Sequence, residues 1–248
     1  MRIFNRIRRK LLDELKIKNY FFYALGEIVL IVVGILLALQ INNWNADRRS
    51  AKQERQLLVS LRQNFRSNDA EIERGLTELA RLRKILELRI ARTGPAAELP
   101  PRGVIDTIRT IDLVMLTYIF GGSSPALSQD EATLLDDADL IAALDRYPIE
   151  FLRYKAVEAN LASLTFQLRE NHQRYVSLLT EDYAAWRGAR HEALHESDYL
   201  GWLRDRDHQN TAVESKWKVA EAISELQALR EDNGEILALI EADLSGSG

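Results

Sequence analysis

The chain has no cysteine in 248 residues, which excludes a disulfide scaffold, an iron–sulfur cluster and every Cys-ligated zinc site. It is also poor in glycine and proline, with 12 and 5. That argues against a turn-rich all-β chain and against Gly-rich loops that cradle phosphates. Nor is there a surplus of positive charge: 33 Lys+Arg stand against 37 Asp+Glu, so a nucleic-acid partner is not expected. A helical protein remains, large enough to bury a core.

What the sequence does have is one long apolar run. Tyr20 to Ile41 is twenty-two residues, and the stretch from Ile28 to Leu39 contains no polar side chain. At 1.5 Å per residue the run spans about 33 Å, matching a hydrocarbon core of about 30 Å. Tyr20, Phe21, Phe22 and Tyr23 stand at one end and Trp44 at the other, where amphipathic rings favour the headgroup level. The expectation is a transmembrane helix over 20–41. The run exceeds a signal-peptide core and Leu36-Leu37-Ala38-Leu39-Gln40 offers no A-x-A site, so an uncleaved signal anchor is expected.

The flanks set the expected orientation. Before the run stand Arg2, Arg6, Arg8, Arg9, Lys10, Lys16 and Lys18 against Asp13 and Glu14; after it stand Arg48, Arg49, Lys52 and Arg55 against Asp47 and Glu54. The more basic side stays in the cytoplasm, placing the protein in a bacterial inner membrane with residues 42–248 in the periplasm. Ile3, Ile7, Leu11 and Leu15 fall on one helical face, so 1–19 reads as a basic amphipathic segment on the anionic leaflet. So short a cytoplasmic part leaves no room for an output domain, and any signalling would pass through another membrane protein.

Inside the run, Glu27 sits about 10 Å from its start, where a carboxylate is costly unless it meets a partner or reaches the headgroups. Gly34 and Ala38 form a small-xxx-small pair, with Gly26 two turns earlier. These four are the expected contact with a second copy or another membrane protein. The residues Gly26-Glu27-Ile28 and Gly34-Ile35-Leu36-Leu37-Ala38-Leu39-Gln40-Ile41-Asn42-Asn43-Trp44-Asn45 resemble the signature of domain-of-unknown-function family 6090, an uncharacterised bacterial membrane family. The likeness extends more weakly into Ser124-Pro125-Ala126-Leu127. It implies an envelope protein with one N-terminal span and a helical remainder, and it brings no activity or catalytic residue.

Beyond the run the fold class expected is all-α: one transmembrane helix, then an extracytoplasmic antiparallel bundle of long helices over 42–244, with a flexible tail at 245–248. From Glu54 to Arg89 a heptad seam runs through Leu58, Leu61, Phe65, Asn68, Ile72, Gly75, Leu79, Leu82 and Leu86. A second helix is predicted over Val104 to Phe120. Ser128 and Glu131 form a capping box that opens a helix through Leu134, Leu135, Ile141 and Leu144. Pro148 is expected to start the next helix, with a seam at Val157, Leu161, Leu164, Leu168, Asn171, Tyr175 and Leu178. A last helix is expected over Val213 to Leu244, with a soft spot at Asn233-Gly234. Asn68 and Asn171 interrupt their seams near mid-helix, and antiparallel pairing of those helices would bring them level as a polar layer that fixes register. A ligand pocket there is the alternative.

One motif carries chemistry. His191-Glu192-Ala193-Leu194-His195 is H-E-x-x-H, which on a helix sets two histidines on one face for zinc and a glutamate as general base. The third ligand would be Glu214 or His208. The context is unfavourable, because Glu196 and Ser197 follow the second histidine and Asp198 stands where an extended motif has glycine. The reading is therefore a non-enzymatic scaffold, accessory or sensor subunit with no cofactor, with a membrane-tethered zinc hydrolase as the alternative and a purely mechanical tether as a third.

Overall fold

The computed structural model describes residues 14–113, 119–125, 127–178 and 195–246. Among them the fold is all-α with no strand: α1 Glu14–Ile90, α2 Arg102–Ile108, α3 Thr110–Leu113, α4 Gln129–Ala132, α5 Ala138–Gln173, α6 Tyr199–Arg204 and α7 Arg206–Gly246. The chain divides into two compact units at Gln56/Leu57.

In the first unit the helix covers all of 20–41, and every side chain from Leu25 to Ile41 is exposed. It is the one helix among the described residues that is long and apolar enough to cross a membrane, with a mean hydropathy of 2.5 over an 18-residue stretch. Most of the amphipathic segment expected at 1–19 lies outside the described residues.

The second unit is a bundle of three long helices. All nine seam positions from Leu58 to Leu86 are buried, Asn68 and Gly75 included. They pack against Leu140, Leu144, Tyr147, Tyr154, Leu161 and Leu168 of α5 and against Val219, Leu226, Leu229, Ile236 and Ile240 of α7. Direction follows from the contacts. At one level Phe65 stacks edge-on to Tyr147 with ring centroids 5.0 Å apart, and Asn233 Nδ2 donates to the Phe65 carbonyl at 3.0 Å. At another level, twenty-four residues on in α1, twenty-five on in α5 and twenty-five back in α7, Arg89, His172 and His208 all meet Trp202. Hence α1 and α5 run the same way and α7 runs antiparallel to both.

The chain therefore has to travel back along the bundle between α1 and α5, and residues 91–137 provide the length. For the same reason Asn68 and Asn171 do not meet. Asn68 lies beside Tyr147, whereas Asn171 lies beside Thr211, its Nδ2 donating to the Thr211 hydroxyl at 3.4 Å.

Five local expectations are corrected. The Ser128 capping box is present, but it opens only the four residues of α4; Asp137 caps α5, its carboxylate accepting from the Asp139 and Leu140 N–H groups. Pro148 does not begin a helix and instead sits inside α5, where its ring removes one hydrogen bond to the preceding turn. The buried neighbours Leu144, Tyr147 and Tyr154 hold the helix through that point. In the described part of the helix expected at 104–120 there are two short ones, α2 and α3, and Ile119 and Phe120 are not helical; residues 114–118 lie outside the described residues. Asn233-Gly234, expected to be soft, lies mid-helix with Asn233 fully buried. Helix α7 reaches Gly246, into the tail expected to be flexible.

Candidate functional site

Two polar clusters are built into the bundle, and neither resembles an open reaction centre. The first fastens the segment 119–125 between α1 and α5. The side-chain amide of Asn68 behaves as a spare peptide group: its Nδ2 donates to the Ser123 carbonyl at 2.7 Å and its Oδ1 accepts from the Ser123 N–H at 3.0 Å. The second Nδ2 hydrogen goes to the Tyr147 hydroxyl at 3.1 Å. Burial pushes the Tyr147 hydroxyl well above its usual value, despite the hydrogen bond from Asn68.

From the other side Glu158, buried in α5, takes the N–H groups of Ile119 and Phe120 on one oxygen at 2.8 and 2.9 Å. The Tyr154 hydroxyl donates to the same oxygen at 3.3 Å, and Lys155 Nζ lies 2.6 Å from the other. Lys155 also donates to the Phe120 carbonyl at 2.7 Å. Five donors and acceptors of the segment are satisfied in this way without a strand or helix, as buried backbone groups require. Glu158 spends its oxygens on donors within the fold, so the arrangement suits fastening rather than proton transfer.

Two glycines make the approach sterically feasible. A Cβ on Gly75 would come to 3.2 Å from the Ile119 carbonyl oxygen and 3.0 Å from Leu226 Cδ2. One on Gly122 would collide with the Phe120 ring and reach 2.8 Å from Asn68 Oδ1. On the exposed side, the Arg74 guanidinium, helped by the Gly121 N–H, holds the Glu71 carboxyl below its usual value.

The second cluster closes the far end of the bundle. Arg89 is fully buried, with its Nε donating to the Ile108 carbonyl at 3.0 Å and its guanidinium 5.3 Å from the Trp202 ring. His172 meets the indole edge-on at 5.0 Å between centroids, and His208 lies at 4.6 Å. A buried cation over an indole face is favourable where water is excluded. Around it, Gly94 N–H donates to the Leu203 carbonyl at 2.9 Å and Arg204 Nε to the Ala97 carbonyl at 3.1 Å. These contacts tie the start of the 91–137 crossover to α6.

The residues singled out from sequence fall in separate places. Gly26 and Gly34 have open space where a side chain would begin, and Glu27 and Ala38 are exposed on the apolar helix. Asn68 anchors the 119–125 segment, and Asn171 faces α7. His191 lies outside the described residues, as does Glu192, while His195 and Glu214 are exposed. His208, the other candidate third ligand, is buried against Trp202. Among the described residues no group of three His, Asp or Glu side chains is placed to hold a metal. Arg89, Glu158 and Trp202 were not identifiable as cluster members from sequence. A charged residue at a seam position, as Arg89 is three residues past Leu86, was the only signal available.

Residues 27–100 match the model of DUF6090, a family of unknown function. The match covers the apolar run from Glu27 onward and the seam of α1 through Asn68, Gly75 and Arg89. No curated protein matches the chain, and no solved structure does.

Proposed function

We propose that this chain is a single-pass inner-membrane protein whose periplasmic helical bundle acts as a scaffold, accessory or sensor subunit through protein–protein contacts, without catalysis of its own. The observation that carries the reading is the exposure of every side chain from Leu25 to Ile41, a largely aliphatic helix surface. Left in water, so large a contiguous apolar surface would drive association; in lipid it is at its solubility optimum. The basic N-terminal flank supports a cytoplasmic N-terminus. Within the bilayer, Gly26, Glu27, Gly34 and Ala38 supply the contact for a second copy or another membrane protein. Both buried clusters support the absence of catalysis in the bundle, since each joins elements of the fold to one another.

Fractionation tests the anchor. The full chain should stay in the membrane pellet through an alkaline wash and leave it only with detergent. On spheroplasts, added protease should digest the bundle while the inner membrane is intact. Recovery of the full-length chain in the aqueous supernatant would remove the anchor, and digestion only after lysis would reverse the orientation.

A further inference from the structure

Just past the aliphatic run, α1 sorts its charges by side. Arg48, Arg49, Lys52 and Arg55 are all exposed, within the unit that ends at Gln56. At about 100° per residue, Arg48, Lys52 and Arg55 share a stripe with Trp44, and Arg49 flanks it. Asp47 and Glu54 lie together on another side, roughly 140° round from the middle of the cations. No carboxylate among the described residues forms an ion pair with any of the four.

The two arginines nearest the run fold back toward it. The Arg48 guanidinium lies over the Trp44 ring, 6.0 Å from its centroid, and Arg49 Nε donates to the Asn45 carbonyl at 3.2 Å. Helix side chains lean toward the N-terminus, which here is the direction of the aliphatic run. The effect on level is large. The Cα of Arg48 stands about 10 Å beyond Ile41 along the helix, and that of Trp44 only about 4.5 Å beyond it. A headgroup layer is about 5–7 Å deep on each side of the hydrocarbon core. Folded back by one turn, both guanidinium groups come down into that layer, at the depth where an indole settles. Extended away from the run, they would stand clear of it.

From this placement we infer that Arg48 and Arg49 bind the phosphate groups of anionic phospholipids in the leaflet at the C-terminal end of the span. A guanidinium presents a planar fork of donors that matches phosphate oxygens. The Trp44 indole takes the face of Arg48 and leaves its N–H edges to the lipid. Arg49 spends Nε on its own helix and keeps its Nη groups for the same purpose. With the acids on another side, the local charge selects an anionic lipid over a zwitterionic one, whose own ammonium competes for the phosphate.

Lys52 and Arg55 stand about 16 and 21 Å beyond Ile41, too far out to touch a phosphate. Lys52 still acts within a Debye length of about 8 Å, and Arg55 falls outside it. The order of effects is therefore Arg48 and Arg49 first, then Lys52, then Arg55, whereas a diffuse positive field would weight all four alike. The inference rests on the membrane anchor proposed above and adds the class of lipid held beside it; it holds for either orientation of the chain.

Trp44 is the reporter, since no other tryptophan lies within the first 56 residues. The full-length chain is reconstituted into phosphatidylcholine vesicles containing phosphatidylglycerol, with bromine carried on one lipid or the other. The Trp44 signal is the difference between the native chain and Trp44→Phe. Brominated phosphatidylglycerol should quench it several-fold more than brominated phosphatidylcholine at equal content. Arg48→Gln and Arg49→Gln should each weaken the relative association of the anionic lipid about fivefold, and the double variant should abolish the preference. Lys52→Gln should change it less than about twofold and Arg55→Gln not measurably. Inorganic phosphate, compared with chloride at equal ionic strength, should not displace the lipid. Equal quenching by the two lipids, a preference that survives in the double variant, an Arg55→Gln loss as large as that of Arg48→Gln, or displacement by inorganic phosphate would each overturn the inference. Flotation separates it from the anchor: a chain that floats with the vesicles yet shows no preference refutes the lipid site alone, whereas a chain that stays in solution refutes the anchor and the site with it.

Discussion

Helix α1 holds two aliphatic stretches, residues 25–41 and 57–90, that meet opposite fates. In the first, side chains are apolar all round and all are exposed; in the second, apolar residues recur at steps of three and four and the nine seam positions are buried. The arrangement of residues around the helix makes the difference. A helix with one apolar stripe finds its solvent in neighbouring helices, whereas one that is apolar on every side needs a medium that contacts all of it. Glycine behaves differently in the two stretches for the same reason. Gly75 is filled to contact by Leu226 and the Ile119 carbonyl, while Gly26 and Gly34 have no neighbour within 4 Å.

The sharpest break of this comparison is the same truncation in both stretches. Phe65 is fully exposed to neighbours and not at all to solvent, stacked on Tyr147. Phe65→Ala should cost about 3–5 kcal/mol of bundle stability, read as a lower midpoint in denaturant. Leu36→Ala, in the apolar stretch, should leave that midpoint unchanged, since Leu36 is 58% exposed. Equal losses would show that residues 25–41 pack as protein core, and the membrane reading would then fail.

An intermediate effect is expected where the seam is polar. Asn68→Ala removes both partners of the Ser123 backbone and one partner of Tyr147, leaving buried groups unpaired. A loss of about 1–3 kcal/mol should follow, with faster hydrogen exchange at the Ser123 amide. Asn68→Asp tests the pairing itself: it keeps an acceptor for the Ser123 N–H and loses the donor to the Ser123 carbonyl, so exchange at Ser123 should be slower than in the alanine variant. Identical exchange in the two variants would mean that Asn68 fixes helix register without holding the segment.

These positions also mark how far the sequence is legible. The apolar run, the nine-position seam of α1 and the capping box follow from composition and spacing within a few turns, and the structure has all of them. Asn68 stands out as a polar interruption of the α1 seam, and Gly75 occupies another of its positions. Their cause is a segment some fifty residues downstream, and no local periodicity encodes which irregularity a distant loop will fill. Pro148 misled for a related reason: proline favours a first turn, but here tertiary packing of Leu144, Tyr147 and Tyr154 carries the helix across it. The Arg89–Trp202 cluster joins residues more than a hundred positions apart, and helix direction, which decides that Asn68 and Asn171 never meet, is set by a crossover whose path the sequence does not spell out.

The smallest effect belongs to the capping box, which lies outside the bundle core and tests whether local and tertiary contributions separate. Ser128 Oγ accepts from the Glu131 N–H at 3.2 Å, and the Ser128 N–H and hydroxyl both donate to the Glu131 carboxylate, at 2.9 and 2.7 Å. Those two donors, the backbone one foremost, hold the Glu131 carboxyl below its usual value. A carboxyl lowered on folding adds stability that is present above its unfolded value and lost as pH falls through the lowered folded value. Ser128→Ala keeps the larger donor and removes the hydroxyl, so the acid dependence should weaken without vanishing. Because α4 has four residues and none is buried, the bundle midpoint should not move, and the change should appear only as faster amide exchange at Glu131 and Ala132. A shift of the global midpoint would instead couple α4 to the core, and would place the start of the α5 approach among the elements that hold the three helices together.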